Sequence, residues 1–220
     1  MKRFERDWFD LHQMDCIDLL KETPDGFYDL AIVDPEYGIK INNNIGRRKG
    51  DKHSGHKKVE WDNDIPSDLY FSEVFRASKN QIIWGANYFP FVWSSGCKCF
   101  LIWDKKFSND VSFSRYEFAW TSFNQTSKGF DYSPSNQKNK IHPTQKPVQL
   151  YKWILKNYAK PNDKILDTHI GSGSIVLAVN DVNKKDNMNL HITGTELDHD
   201  YFTDMIKRIQ ENTLQMSIFE

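Results

Sequence analysis

Short apolar runs alternate with segments of helical periodicity along most of the chain. The run from Leu30 to Val33 is continuous and bounded by polar residues, which is typical of a buried strand. By this criterion, strands are predicted at residues 8–14, 29–33, 81–85, 99–103, 115–120, 164–166 and 191–195. Helical spacing predicts helices at residues 15–21, 67–76, 148–159, 175–182 and 199–212. The pattern indicates an α/β domain.

Two long segments lack both periodicities. The first, residues 39–61, is predicted to be a long loop. The second, residues 123–141, is a polar stretch between the predicted strand at 115–120 and the predicted helix at 148–159. The loop follows directly after an acidic strand end and is rich in basic residues: Arg47, Arg48, Lys49, Lys52, Lys57 and Lys58. Such residues suit contact with a phosphate backbone, but a solvated surface loop has the same composition, so both interpretations stay open.

Composition narrows the class of protein. The chain has 220 residues, no internal repeat and a net charge of −1, which predicts one domain and excludes a polycation that coats nucleic acid indiscriminately. The charged start leads into no long apolar run, so we expect no signal peptide, no membrane span and a cytoplasmic location. Three cysteines without zinc-site spacing are expected to be free thiols, with no metal bound.

The strand at residues 29–33 ends in groups that suit an amino group on a flat base. Asp34 supplies a carboxylate, Pro35 a carbonyl and Tyr37 an aromatic ring, with Glu36 between them. The two acceptors would hold both amine hydrogens and orient the nitrogen lone pair at an electrophile, while the ring stacks on the base. The same four residues also make an ordinary turn after a strand, so alone they leave the function open.

A second predicted strand leads into a glycine loop, which we define as residues 167–174. Its glycines, Gly171 and Gly173, allow close backbone approach to a ligand, and the following helix points N–H groups at it. Glu196 follows Gly173 by about 23 residues, near the ~20 expected for an acid that binds ribose hydroxyls. The pattern fits a nicotinamide dinucleotide or S-adenosylmethionine, and a plain glycine turn is the alternative. Asp15, just past the first predicted strand, would share the crevice.

Three motifs together resemble the amino-methylating DNA methyltransferases, in the permuted class whose catalytic half precedes the cofactor half. The family's Asp-Pro-Pro-Tyr is matched at three of four places by residues 34–37. Its loop Asp-Pro-Phe-Xaa-Gly-Ser-Gly-Thr is matched at Asp167, Gly171, Ser172 and Gly173. Its hexapeptide His-Pro-Thr-Gln-Lys-Pro is matched in full by residues 142–147. The resemblance runs from about residue 8 to residue 208.

The resemblance implies a fold and a domain organisation. It implies a single Rossmann-like methyltransferase domain, residues 1–220, with a mostly parallel twisted sheet and helices on both faces. Within that domain the expected segments are a catalytic half at about 8–122, the basic loop at 39–61, a short target-recognition or linker segment at 123–141, a cofactor half at 142–212 and a tail at 213–220. Double-stranded DNA would be the partner, in a bacterial or phage-infected cell.

The resemblance also assigns roles. Asp34, Pro35, Glu36 and Tyr37 would be catalytic. Glu196 would bind the ribose of S-adenosylmethionine, Asp15 its adenine and the glycine loop its methionine part. The full set of expected cofactor contacts is Asp15, Cys16, Asp34, Thr144, Lys146, Asp167, Thr168, His169, Gly171, Ser172, Gly173 and Glu196. An Asp at the first catalytic position favours adenine as target; cytosine, or a non-catalytic relative that binds DNA or cofactor, is the alternative.

Two departures from the family pattern stand out. Glu36 replaces the second proline of the tetrapeptide, and Thr168-His169 replaces Pro-Phe in the glycine loop. A long target-recognition insert before His142 is nearly absent. These changes bear on catalytic rate and sequence specificity more than on cofactor binding.

The last residues carry a separate motif. The segment from Gln215 to Phe219, Gln-Met-Ser-Ile-Phe, resembles the short peptide by which bacterial replication and repair proteins attach to the sliding clamp. Ile218 and Phe219 would fill an apolar cleft while Gln215 is held by hydrogen bonds. The alternative is a frayed helix end whose apolar side chains fold back onto the domain.

Overall fold

The computed structural model describes residues 2–39, 64–107, 114–136, 140–142 and 144–214. Its strands are β1 Lys2–Arg6, β2 Phe9–Gln13, β3 Leu30–Val33, β4 Gln81–Trp84, β5 Cys99–Asp104, β6 Tyr116–Thr121, β7 Lys128–Asp131, β8 Lys164–Asp167 and β9 His191–Glu196. Its α-helices are α1 Cys16–Glu22, α2 Asp68–Ala77, α3 Pro90–Ser94, α4 Val148–Tyr158, α5 Ser174–Asp186 and α6 His199–Leu214. Short 3₁₀ turns span Ala86–Tyr88 and Pro134–Asn136.

The strands form one sheet in the order β1-β2-β9-β8-β3-β4-β6-β5-β7. Five neighbouring strands, from β2 to β4 in that order, are parallel; β6 runs antiparallel to both β4 and β5, and β1 is antiparallel to β2. The carboxyl ends of β9, β8, β3 and β4 therefore meet at one edge of the sheet, where open α/β sheets bind their ligands. The expected mostly parallel sheet is confirmed.

The sheet is covered by helices on both faces. Strand β3 shows why: Leu30 and Ile32 belong to one buried cluster, with residues of α4, α5 and α6, whereas Ala31 and Val33 belong to another, with residues of α1, α2 and α3. Successive side chains of a strand point to opposite faces, so a strand apolar at every position requires a cover on each side. This three-layer arrangement makes β3 and β8 a rigid base for the residues that follow them.

The structure adds two strands that the apolar pattern did not predict. β1 is mostly exposed, and it is held by main-chain pairing with β2 rather than by an apolar face. β7 lies inside the segment 123–141, which we expected to be a short target-recognition or linker segment, and it pairs in parallel with β5 at the far edge of the sheet. An edge strand needs few buried side chains, so its sequence carries little periodic signal.

Several predictions fall outside the described residues. The basic loop residues, namely Arg47, Arg48, Lys49, Lys52, Lys57 and Lys58, lie there, as do Pro143 and the tail from Gln215 to Phe219. Among the helices that the structure does describe, none combines the length and the apolar content that a bilayer crossing requires.

Candidate active site

Three acidic residues stand at the ends of neighbouring parallel strands. Asp34 follows β3, Asp167 ends β8 and Glu196 ends β9. Because β8 pairs with both β3 and β9, the three residues lie side by side along the carboxyl edge of the sheet. The residues that sequence patterns singled out separately are thus brought to one edge.

Asp34 is held by two neighbours. The Tyr37 hydroxyl donates a hydrogen bond to Asp34 Oδ1 at 2.6 Å, and the Lys146 ammonium forms an ion pair with Oδ2. Tyr37 reaches this position because Gly85 has a φ of +70° and no side chain: a Cβ there would lie 2.0 Å from the Cε1 of the Tyr37 ring. Burial, and next the charge of Asp34, raises the pKa of Tyr37 well above its usual value, so its hydroxyl remains a donor.

Lys146 lies between two carboxylates. Its side chain is only 3% exposed, and Nζ lies 3.2 Å from Glu117 Oε2 in addition to its contact with Asp34. Burial works to lower the pKa of Lys146, but the charges of Asp34 and Glu117 outweigh it and raise the pKa. Lys146 is therefore an ammonium ion. It was expected to close the cofactor pocket, whereas in the structure it contacts the carboxylate of the tetrapeptide.

Glu117, on β6, is a site residue that the sequence analysis missed. Its Oε1 lies 2.6 Å from the Nζ of Lys105, so Lys105, Glu117, Lys146 and Asp34 form a chain of alternating charges. Burial would raise the pKa of Glu117, but Lys146 and Lys105 lower it below its usual value. An acid between two aromatic residues of the strand Tyr-Glu-Phe-Ala-Trp-Thr was the available signal.

A second aromatic ring lies against Tyr37. The ring of Tyr88 stacks on it with centroids 5.2 Å apart and planes 20° apart, and Tyr88 is 39% exposed. Phe89 meets Tyr37 edge-on at 6.1 Å. The tetrapeptide tyrosine is thus part of an aromatic group that opens to solvent through Tyr88, a residue to which no sequence motif pointed.

The two departures from the family pattern contact each other. Glu36 Oε2 lies 3.3 Å from His169 Nε2. Burial would lower the pKa of His169, but Glu36, and next the Cys16 thiol, raise it well above its usual value. In turn His169 lowers the pKa of Glu36 against the effect of burial. The added negative charge in the tetrapeptide is therefore neutralised by an added positive charge in the glycine loop.

Asp167 is buried and incompletely paired. It is 1% exposed; Oδ1 accepts a hydrogen bond from the His169 N–H at 3.0 Å, while Oδ2 has no hydrogen-bond partner among the described residues. Burial raises the pKa of Asp167 from 3.8 to about 7. A buried acceptor without a partner is unfavourable, and a cationic donor at Oδ2 would relieve this.

Glu196 holds the glycine loop. Its Oε2 accepts from the Gly171 N–H at 3.1 Å and its Oε1 from the Asp198 N–H at 2.8 Å, and burial raises its pKa. Gly173, with a φ of +69°, precedes α5 and leaves room for Met205, whose Cγ would lie 2.7 Å from a Cβ. The loop is therefore fixed at both of its glycines.

The remaining predicted residues lie around this centre. Thr168 is buried and shares a hydrogen bond of 2.7 Å with the Tyr70 hydroxyl, and Ser172 Oγ lies 3.1 Å from Ser174 Oγ. Asp15 caps α1 by accepting from the Ile17 N–H at 2.8 Å, and its side chain is exposed.

The described residues of the hexapeptide, residues 142–147, lie on two sides of the site. Thr144 is exposed, and its hydroxyl lies 3.0 Å from His142 Nδ1 rather than at the strand ends. His142 is close to the glycine loop, since a Cβ at Gly171 would lie 3.9 Å from its ring, and burial lowers the pKa of His142 to about 4. Lys146, four residues on, instead reaches Asp34.

Comparison with known proteins identifies a family and an individual relative. A family model described as DNA methylase matches residues 39–208. The type II methyltransferase M.HinfI of Haemophilus influenzae is 25% identical over an alignment 217 positions long, which covers 73% of this chain and 58% of that protein. The chain thus spans little more than half the length of this curated relative.

Solved structures show the same fold. The M1.HpyAVI–SAM complex superposes with a TM-score of 0.58 at 19% identity, covering 91% of this chain and 99% of that one. The PvuII DNA methyltransferase (cytosine-N4-specific) superposes with a TM-score of 0.62 at 11% identity, covering 91% and 86%. At these identities the likeness establishes the fold alone.

Proposed function

The chain belongs to the DNA methylase family, and we propose that it transfers a methyl group from S-adenosylmethionine to the exocyclic amino group of a base in DNA. The observation that carries this proposal is the placement of Asp34 and Asp167 at the ends of adjacent parallel strands. One carboxylate would then serve an amine and the other a charged cofactor, at the same edge of the sheet.

The cofactor side of the site fits S-adenosylmethionine. The unpartnered Asp167 Oδ2 would accept from the ammonium of the methionine part, and Glu196 would bind the ribose hydroxyls from the next strand. When bound, S-adenosylmethionine supplies a methyl group on a positively charged sulfur, which an amine can displace. The remaining contacts with the cofactor would come from Asp15, Cys16, Thr168 and Ser172.

On the substrate side, the residues after β3 would orient the amine. Asp34 and the Pro35 carbonyl would accept its hydrogens, and Tyr37 would pack against the base after it has left the duplex. Reactions of this kind depend mainly on holding the two reacting atoms in line, which requires fixed acceptors rather than an acid or base. The hydrogen bond that the Tyr37 hydroxyl donates to Asp34 would supply that fixation.

We propose adenine as the target base, because Asp occupies the first position of the tetrapeptide. The PvuII enzyme, whose fold this chain shares, is cytosine-specific, so fold does not choose between the bases. Sequencing of modified bases, at single-base resolution, in DNA from cells that express the protein tests both parts of the proposal. N-methylated adenine at a recurring sequence is the expected result; methylated cytosine would overturn the base assignment, and unmodified DNA the activity.

A non-catalytic relative that binds cofactor and DNA is the second candidate, and one observation favours it. Both oxygens of Asp34 are engaged by neighbours of the chain itself, which leaves less capacity for an amine. Calorimetric titration with S-adenosylmethionine separates the two candidates. Tight binding without methyl transfer to any DNA would support the second.

We also propose that the tail tethers the enzyme to the bacterial sliding clamp through residues 215–219. The support is the motif itself, with Ile218 and Phe219 as apolar anchors and Gln215 as the polar one. A peptide of residues 212–220 should bind a bacterial clamp with a Kd of the order of micromolar, as is usual for a short anchored peptide. Replacing Ile218 and Phe219 by Ala should abolish binding while methyl transfer on short DNA is unchanged. Loss of thermal stability without clamp binding would instead indicate a tail that packs on the domain.

A further inference from the structure

Lys146 lies between two carboxylates and is in closer contact with Asp34 than with Glu117, and its ammonium also donates a hydrogen bond to the Tyr37 hydroxyl at 3.3 Å. We propose that Lys146 moves from Asp34 to Glu117 when the target amine binds, so that Glu117 is a positioning residue that releases Asp34 for catalysis. This inference rests on the proposed function, because it is the arriving amine that needs Asp34. It assigns a role to Glu117, which belongs to none of the sequence motifs.

The first support is the unequal way in which the two carboxylates are paired. Lys146 Nζ is in close contact with Asp34 Oδ2, whereas Glu117 Oε2, at 3.2 Å, lies outside hydrogen-bond geometry. Glu117 Oε2 is shielded from solvent and, within the described ranges, accepts no hydrogen bond, although it forms an ion pair with Lys146. A buried acceptor without a donor is unfavourable, so a short movement of Nζ toward it would be compensated.

The second support is that the receiving carboxylate is kept ionised. Lys105 Nζ lies 2.6 Å from Glu117 Oε1, and the two lysines lower the pKa of Glu117 although burial acts to raise it. Glu117 therefore attracts Lys146 with a full charge. The four groups balance, with two ammonium ions and two carboxylates, so movement of Nζ changes the distribution of charge but not its sum.

The third support is the pair of aromatic rings that surround the Lys146 ammonium. The ammonium lies 5.4 Å from the ring centre of Trp84 and 5.8 Å from that of Tyr37. Aromatic faces attract a cation without fixing it to one acceptor, because the attraction depends weakly on direction. The two rings would therefore continue to stabilise the enclosed ammonium after its contact with Asp34 is broken.

The movement answers a need of the proposed reaction. Asp34 Oδ1 already accepts from the Tyr37 hydroxyl at 2.6 Å, and Oδ2 is taken by Lys146. An ammonium donor is a stronger partner for a carboxylate than a neutral amine, so the amine competes poorly while Lys146 stays. Transfer of Lys146 to Glu117 would leave Asp34 Oδ2 without its ammonium partner and able to accept from the amine.

The test compares Glu117→Gln with Glu73→Gln, a matched change in an acid that pairs with Arg76 on α2, away from the strand ends. In Glu117→Gln, kcat for methyl transfer should fall about 30-fold while the Kd for S-adenosylmethionine stays within about twofold, because only the release of Asp34 is impaired. The Glu73→Gln control should retain kcat within about twofold. Should Glu117→Gln not fold, Glu117→Asp, which keeps the charge but shortens the side chain, should lose about fivefold.

A double variant separates positioning from simple structural support. In a Lys146→Met background, Glu117→Gln should change kcat by less than about twofold, because the residue through which Glu117 acts is absent. Equal losses with and without Lys146, or full kcat in Glu117→Gln, would overturn the inference.

A structural readout keeps the inference separate from the proposed activity. In a crystal structure of Asp34→Asn, Lys146 Nζ should lie within hydrogen-bond distance and geometry of Glu117 Oε2. If Nζ remains at residue 34, the inference is wrong even for an active enzyme. If Nζ moves but wild-type protein methylates no DNA, the proposed function fails and the mobility of Lys146 stands.

Discussion

Asp34 and Asp167 end neighbouring parallel strands of one sheet, yet their surroundings are opposite. Asp34 has an ammonium ion on one oxygen and a hydroxyl on the other. Asp167 has one backbone donor and a buried oxygen without a partner, and burial raises its pKa to about 7. The first carboxylate is stabilised by groups of the chain, whereas the second lacks a cation.

This difference shows which of the two carboxylates has its charge compensated in the absence of a ligand. Asp34 is kept charged by its own neighbours, and the oxygen that Lys146 would leave on moving to Glu117 could then accept from a neutral amine. A carboxylate that is buried and unpaired gains most from a cationic ligand, and that is what the ammonium of S-adenosylmethionine offers Asp167. Substitutions at the two positions should therefore fail in different ways.

The largest effect is expected at Asp34. Asp34→Ala should lower kcat by at least about 1,000-fold, because the amine loses its charged acceptor, while affinity for S-adenosylmethionine stays within about tenfold. Methyl transfer measured with radiolabelled cofactor and binding measured by calorimetry supply the two numbers. Activity within tenfold of wild type would contradict the role of this carboxylate.

The reverse pattern is expected at Asp167. Asp167→Asn should weaken S-adenosylmethionine binding by about 10- to 100-fold, since a buried charged hydrogen bond is replaced by a neutral one. In the wild type, affinity should rise as the pH increases through about 7, because only the ionised carboxylate pairs with the ammonium. The control is Asp186→Asn, a change at the last residue of α5, the end away from the glycine loop. It should leave the affinity for S-adenosylmethionine unaltered. A flat pH profile would indicate that Asp167 is not the group that binds the cation.

A smaller effect is expected for DNA binding, which involves neither aspartate. Changing Arg47, Arg48 and Lys49 to Gln should reduce affinity for DNA and lower the slope of log Kd against log salt by roughly one unit per lost phosphate contact. The control changes Lys160, Lys184 and Lys185, three exposed lysines at the other edge of the sheet. Equal slopes for the two triple variants would mean that the loop is solvated surface.

The smallest effect concerns stability. The pKa of Asp167 is higher in the folded chain than its ordinary value of 3.8, so the folded state binds this proton more tightly and stability falls as the pH rises from about 4 to about 7. Without cofactor, Asp167→Asn should therefore raise the free energy of unfolding at pH 8 by about 2 kcal/mol, or Tm by about 5 °C, and change little at pH 4. Thermal unfolding at the two pH values measures this. Destabilisation at pH 8 would show that the charge of Asp167 is compensated in the protein.

The features that could be predicted from the sequence are those formed by residues adjacent in the chain. The apolar runs of β3 and β8 and the acid that ends each are adjacent in sequence, so the strand, its end and the candidate chemistry were found together. β1 and β7 were missed because edge strands carry no apolar pattern. Glu117 was missed for another reason: its partners Lys105 and Lys146 come from other segments, and only the pairing of β5 with β6 and the hexapeptide loop bring them together.

The contact between Glu36 and His169 has a consequence for how relatives of this chain are recognised. Considered position by position, Glu36 in the tetrapeptide and His169 in the glycine loop are separate deviations, which suggests two independent losses. The 3.3 Å contact makes them one compensated change, in which neither substitution is neutral without the other. We expect the two positions to covary, so that an acid after Asp-Pro accompanies a base in the loop. A motif search that scores such pairs jointly would retain sequences that independent scoring rejects.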